Sequence, residues 1–253
     1  MNIMKKLTLL VLIMASGIFG SRLFAQKPEG GLIYCSYSCT GAAGLGKDYC
    51  ELIADVDSVP KVVVVLGYGN RFGDPVVNMT YTVEKESVLE LQDILEKNEV
   101  YKLDGYSVDE HMTGGRTYRI YMEYSSGEKI NAHWYGHDIK NEALSAYALI
   151  SGFFKPWRNK AENDAITERV TEMEAIYYRL KEAVKKKKAY PKIQEDLEAL
   201  KEYAESGVWR RDFESYEKIN PSVDKNKEFF REGAMYRIIQ DDTLEKLVAP
   251  KDM

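Results

Sequence analysis

Tyr118-Arg119-Ile120-Tyr121-Met122-Glu123 alternates residue by residue. Ser125-Ser126-Gly127-Glu128 follows it, and Ile130, Ala132 and Trp134 then resume on one face. A period of two marks a strand, and a short polar cluster containing glycine between two such runs marks the turn of a hairpin. Two such runs joined by a turn are expected to pair in an antiparallel sheet. Towards the N-terminus, Val88, Leu91, Ile94 and Leu95 fall at helical spacing, with Ser87 and Glu90 spaced as a capping box. Before that helix, Val76–Val83 reads as one strand. Lys61-Val62-Val63-Val64-Val65-Leu66 reads as another, continuous enough to be buried on both faces. Gly67–Pro75 between them is rich in turn residues. Towards the C-terminus, Asn141–Phe154 carries Leu144, Tyr147, Ala148 and Ile150 at helical spacing, and Pro156 is expected to stop it. The order is ββαββα, an α+β arrangement.

Beyond Arg158 the period changes. Ile166, Val170, Met173, Tyr177, Leu180 and Val184 are spaced 4, 3, 4, 3, 4, and Ile193, Leu197, Leu200 and Ala204 are spaced 4, 3, 4. Two such seams face each other across a helical hairpin. Lys185–Lys188 forms the join, Pro191 suits the start of the second helix and Gly207 its end. A further helix is expected from about Gly233 to Val248. Trp209, Phe213, Phe229 and Phe230 follow the hairpin, placed to fold back over the longer seam. The chain thus divides into a leader at 1–25, an α+β domain at 26–158 and an all-α helical domain at 159–253.

The helical half also shows Glu168-Arg169-Val170, Met173-Glu174, Leu200-x-x-Tyr203, Ser206-x-x-Trp209-x-x-Asp212-Phe213-Glu214, Pro221 and Ala234-x-Tyr236. Over about Ala165–Leu247 this resembles the small helical family called domain of unknown function 4298. The Ser-Trp-Asp spacing is the most specific part. The acidic run that the family carries before its last helix reads Arg231-Glu232-Gly233 here. The resemblance implies a helical domain and assigns no catalytic residue.

Met1–Ala25 has the layout of a secretory signal peptide: Lys5 and Lys6, a mostly apolar run over Leu7–Phe19, and small Ala25 before Gln26. The run is shorter than the ~20 residues a spanning helix needs, so no stable membrane span is expected after removal. The implied location is periplasmic or extracellular. Losing Lys5, Lys6 and Arg22 and no acid takes the net charge from −5 to −8. An acidic chain argues against general nucleic-acid binding.

Export makes disulfides possible. Cys35, Cys39 and Cys50 are the three cysteines; one bridge is expected, joining Cys50 to Cys39 or Cys35 across a glycine-rich loop. Gly41–Lys47 fits the GxxxxGK spacing of a phosphate loop, but Asp48 stands where Ser or Thr should hold magnesium. His111, His133 and His137 could contribute to a metal site only if a strand brought His133 and His137 together with an acid. Asp109 and Glu110 are adjacent acids. No G-x-S-x-G is present, and Ser125-Ser126 lies in a turn without an oxyanion signature. Lys185–Lys188 reads as solvated charge favouring a helix end.

No cofactor, metal ligand or catalytic residue is assigned on these grounds. Tyr34, Tyr37 and Tyr49 surround the cysteines and Tyr118, Tyr121, Tyr124 and Tyr135 flank the hairpin, a possible aromatic surface for sugars or peptides of which strand alternation sends half to the core. The reading is a non-catalytic binding or interaction protein, with a protein partner or self-association through the helical domain. The alternatives are a cell-envelope hydrolase with an unidentified site, and a sugar- or peptide-binding module on the tyrosine-rich sheet.

Overall fold

The computed structural model describes residues 26–41, 47–55, 57–67, 76–109, 115–135 and 139–249. The leader, most of the GxxxxGK loop, the Gly67–Pro75 turn beyond Gly67, Glu110, His111 and His137 lie outside them. The chain divides into two compact units, residues 1–158 and 159–253.

The first unit is α+β. Seven strands are described: β1 (Leu32–Thr40), β2 (Lys47–Ile53), β3 (Lys61–Gly67), β4 (Val76–Thr82), β5 (Ser107–Asp109), β6 (Thr117–Tyr124) and β7 (Lys129–Tyr135). They form one sheet in the order β4-β3-β2-β1-β6-β7-β5, antiparallel except where the three-residue β5 joins β7 in parallel. The expected strands β3, β4, β6 and β7 are present. The pair β1–β2 is an addition, and it changes the architecture, because β1 is central and bonded on both sides.

Alternation along these strands makes two unlike faces. Cys35, Tyr37, Cys50, Leu52, Val62, Val64, Ile120, Met122, Ala132 and Trp134 are buried on one. That face is covered by helix α1 (Lys85–Lys97), through Val88, Leu91 and Leu95, and by the start of helix α2 (Asn141–Lys186), through Ala143, Ala146, Ile150 and Phe154. The Tyr147 ring packs edge-on against Tyr37, Tyr118 and Trp134. A register shift between Leu32 and Tyr34 lets Leu32 join the buried face although Tyr34 belongs to the other. Strand β3 is also one-sided: Val62, Val64 and Leu66 are buried, and Val63 and Val65 only half-buried. Helix α1 starts three residues earlier than expected, with Glu84 rather than Ser87 as N-cap and no side-chain cap, so Ser87 lies within its first turn.

Pro156 does not end the next helix. Helix α2 is 46 residues long and contains it. An interior proline lacks a donor, and its ring crowds the carbonyl four residues earlier. Here that residue is Gly152, and both it and Pro156 lie on the exposed side of the helix, where a carbonyl can tilt out towards water.

The second unit is helical: the end of α2, then α3 (Ile193–Ser206), α4 (Val208–Ile219), α5 (Ala234–Ile239) and α6 (Asp242–Val248). Val170, Met173, Tyr177 and Leu180 of the first seam and Ile193, Leu200 and Ala204 of the second are buried together, with Ile166, Val184 and Leu197 packed at the margin. Phe229 is fully buried in the same core, and Trp209, Phe213 and Phe230 pack on it. Gly207, at φ 71°, ends α3 and starts α4. The single helix expected over Gly233–Val248 is two short ones. Gln240 caps the first, and the Asp241 carboxylate accepts the Thr243 backbone N–H to start the second. Among the described residues no helix is long and apolar enough to cross a membrane.

Candidate functional site: a two-walled trough on the open sheet face

The face of the sheet opposite α1 and α2 carries the alternate residues. Central strand β1 contributes Tyr34, Ser36, Ser38 and Thr40. In β2, Lys47 lies opposite Thr40, Tyr49 opposite Ser38 and Glu51 opposite Ser36. In β6, Arg119 lies opposite Ser38, Tyr121 opposite Ser36 and Glu123 opposite Tyr34. Both flanking strands therefore present the same series, cation, tyrosine, glutamate, offset by one row. Small hydroxyls form the floor, and two tyrosine-centred walls rise beside it. The hollow measures about 470 Å³ and is lined by Tyr34, Ser36, Ser38, Thr40, Lys47, Tyr49, Arg119, Tyr121 and Asn131. That is within the range of small-ligand sites.

The walls are held by hydrogen bonds to the two glutamates. Tyr34 Oη donates to Glu51 at 2.5 Å and lies 2.9 Å from Tyr49 Oη, which also donates to Glu51. Tyr121 donates to Glu123, which also accepts from Lys129 at 3.0 Å. The Tyr34 and Tyr121 rings meet edge-on at 5.8 Å. Burial, with Glu51 beside it, raises the Tyr34 and Tyr49 hydroxyls above the ordinary phenol range. The Glu51 hydrogen bond adds to the rise because it is made by the protonated phenol. The hydrogen bond from Tyr121, with that from Lys129, lowers the Glu123 carboxyl.

The cations are arranged differently. Lys47 Nζ lies 5.4 Å from the Tyr49 ring centroid. Among the described residues neither Lys47 nor Arg119 forms an ion pair, and both are exposed. His133 is beside Arg119, with Nε2 3.0 Å from Ser107 Oγ and 3.6 Å from Asp109.

The cysteines are not bridged. Cys35, Cys39 and Cys50 are free and buried, which corrects the expected disulfide. Cys50 lies opposite Tyr37, so Cys35 and Cys39 are its diagonal neighbours. Diagonal positions are about 7–8 Å apart, beyond the ~4.4–6.8 Å between Cα atoms that a disulfide spans. Cys35 and Cys39 are separated along one strand by about 13 Å. Burial pushes the Cys50 thiol up to about 12 and raises Cys35 further, so both stay protonated at neutral pH and are poor nucleophiles. They serve as small core residues: Cys50 Sγ donates to Tyr37 Oη at 3.5 Å, and Tyr37 donates to Asp48, which is paired with Arg158 at 2.8 Å.

The other sequence candidates separate. Ser125 Oγ accepts the Gly31 N–H at 2.9 Å and fastens the hairpin turn. Among the described residues no three His, Cys, Asp or Glu side chains converge as metal ligands. Of the seven singled-out tyrosines, Tyr34, Tyr49, Tyr121 and Tyr135 share the open face; Tyr37, Tyr118 and Tyr124 belong to the covered one. Sequence reading missed Ser36, Ser38, Arg119 and both glutamates as site residues. The signal available was the repeated alternation in Lys47-Asp48-Tyr49-Cys50-Glu51 and Arg119-Ile120-Tyr121-Met122-Glu123.

Within the helical unit, Asp212 of the Ser-Trp-Asp spacing is fully buried and takes Arg169 at 2.7 and 3.0 Å and Tyr203 at 3.2 Å. Ser206 Oγ donates to the Tyr203 carbonyl and accepts the Val208 N–H, bracketing Gly207. Trp209 packs edge-on against Phe213. These residues hold helices together and line no hollow described above. No protein-family model matches the chain, and no curated protein matches it.

Proposed function

We propose that this chain is an exported, non-catalytic binding protein whose sheet unit seats a saccharide in the trough of β1, β2 and β6. The observation that carries the reading is the trough itself: aromatic side chains on both walls, hydroxyls along the floor, and acceptors and donors within reach of each. A saccharide ring has an apolar C–H face and a polar rim, which suits amphipathic tyrosines set beside Glu51, Glu123 and Asn131. Strands β1, β2 and β6 are paired on both sides, so their main-chain groups are engaged in the ladders. A peptide lying on this face would find no main-chain partner, and the floor has no apolar pocket for its side chains. Non-catalytic character is supported by the protonated, buried thiols, which are poor nucleophiles, and by Glu123, whose lowered carboxyl is ionised at neutral pH and holds no proton to donate. Export rests on the charged, apolar and small-residue layout of Met1–Ala25. The helical unit, read with its resemblance to domain of unknown function 4298, accompanies the sheet unit as a separate module.

The test is a saccharide panel followed by tyrosine-labelled NMR on the full chain from Gln26 onward. Binding should shift Tyr34, Tyr49 and Tyr121, and Tyr49→Ala with Tyr121→Ala should weaken it at least tenfold while leaving the circular dichroism unchanged. Full binding by that double variant would overturn the reading. Intact mass of the secreted protein should start at Gln26; a species retaining Met1 would refute the export assignment.

A further inference from the structure

We infer that the ligand of the trough is an acidic saccharide whose carboxylate sits between Lys47 and Arg119. The inference rests on the saccharide-binding reading and adds the charge and direction of the ligand.

Its basis is the unequal treatment of the four charged wall residues. The two glutamates are satisfied within the protein, Glu51 by two tyrosine hydroxyls and Glu123 by Tyr121 and Lys129. The two cations are not satisfied among the described residues, in a chain with 40 acids against 35 lysines and arginines. They share one end of the trough: Lys47 lies opposite Thr40, and Arg119 opposite Ser38, the next floor position. Their strands flank β1 and they are offset by one floor position, so their backbones are about 12 Å apart. Both side chains are long enough to reach over the floor hydroxyls between them. A carboxylate there would accept a two-pronged contact from the Arg119 guanidinium and a point contact from Lys47. At the opposite end Asn131 and the tyrosine hydroxyls meet sugar hydroxyls, and Glu51 and Glu123 behind those tyrosines would repel a second anion placed there. The trough therefore has polarity, carboxylate end towards Thr40 and hydroxyl end towards Tyr34. Neutral ligands would leave the two cations unpaired, and neutral and acidic ligands differ in one group that chemistry can mask.

The probes are galacturonic acid, its methyl ester and galactose, titrated calorimetrically into the full chain from Gln26 onward with tyrosine NMR in parallel. The acid should bind at least tenfold more tightly than the ester, with the preference falling as salt is raised. Arg119→Gln and Lys47→Gln should each reduce acid binding severalfold, and together bring acid and ester to equal affinity. Equal affinity of acid and ester for the unaltered protein overturns the inference and leaves the saccharide reading standing. If no probe binds or shifts Tyr34, Tyr49 or Tyr121, both fall. Acid preference that survives the double substitution places the carboxylate elsewhere and also overturns the inference.

Discussion

The two units of this chain use the same three kinds of side chain in opposite ways. In the helical unit a carboxylate, a tyrosine and an arginine close on one another. Asp212 is held by Arg169 and Tyr203, and Asp196 by Arg179 at 2.7 and 2.9 Å and Tyr190 at 2.7 Å. On the open sheet face Glu51 takes two tyrosines and no cation, Glu123 takes Tyr121 and Lys129, and the cations Lys47 and Arg119 are left facing solvent. A closed triad spends its charge on stability. A cation set apart from the carboxylates, as Lys47 and Arg119 are, keeps its charge available for something from outside. The same chemistry is therefore structural in one unit and receptive in the other.

The comparison is most severely tested at Asp212. Removing one partner of a buried pair strands the other charge, at a cost of about 3–5 kcal/mol. Asp212→Ala should melt the helical unit well below the unaltered protein in calorimetry, and a shift of less than a degree would break the comparison. Leu180→Asp, in the buried seam, should cost several kcal/mol by placing an unpaired charge in the core. Lys186→Asp, exposed near the helix end, should do little; equal melting of the two would disprove the seam.

A smaller effect is expected at Asp196. Burial alone would raise its carboxyl, but hydrogen bonds from Arg179 and Tyr190 outweigh burial and lower it. Its stabilisation is therefore complete above the ordinary aspartate value of about 3.9 and is lost as pH falls below that towards the lowered folded value. Asp196→Asn should flatten the acid limb of the stability curve below about pH 4 and cost about 1–2 kcal/mol at neutral pH. An unchanged acid limb would remove Asp196 from the account. The smallest effect belongs to the sheet face. Arg119→Gln should change stability by less than about 0.5 kcal/mol, and a larger loss would show that this cation is structural after all.

Much of this organisation was legible. The β6–β7 hairpin, the two helical seams and the change of period near Arg158 all come from spacing, because one-sided burial imposes a period on the sequence. Strands β1 and β2 were not legible for a chemical reason. Cys35, Cys39 and Cys50 read as bridging thiols in the sequence, whereas in the sheet they are small apolar residues alternating with Tyr34, Ser36, Ser38, Tyr49 and Glu51. With the thiols counted as apolar, both segments show a period of two. The trough was invisible for the same reason, since its floor is β1. Pro156 misled because a proline's effect depends on what lies four residues earlier, and here that is an exposed glycine.

The central position of β1 has a consequence for how the molecule is made. Tyr34 and Glu123 are sheet neighbours although about 90 residues of chain separate them, whereas Arg179 and Asp196 are joined over only 17. Contacts that close long loops form slowly, and local ones quickly. While the chain emerges, β1 can pair with β2 early, but its other edge stays open until β6 has been synthesised. An unpaired edge is a template for association with other chains, so the strand that supplies the floor is also the one with the longest wait. A nascent chain stopped before Thr117 already contains the floor and the Lys47-Tyr49-Glu51 wall, and has no trough.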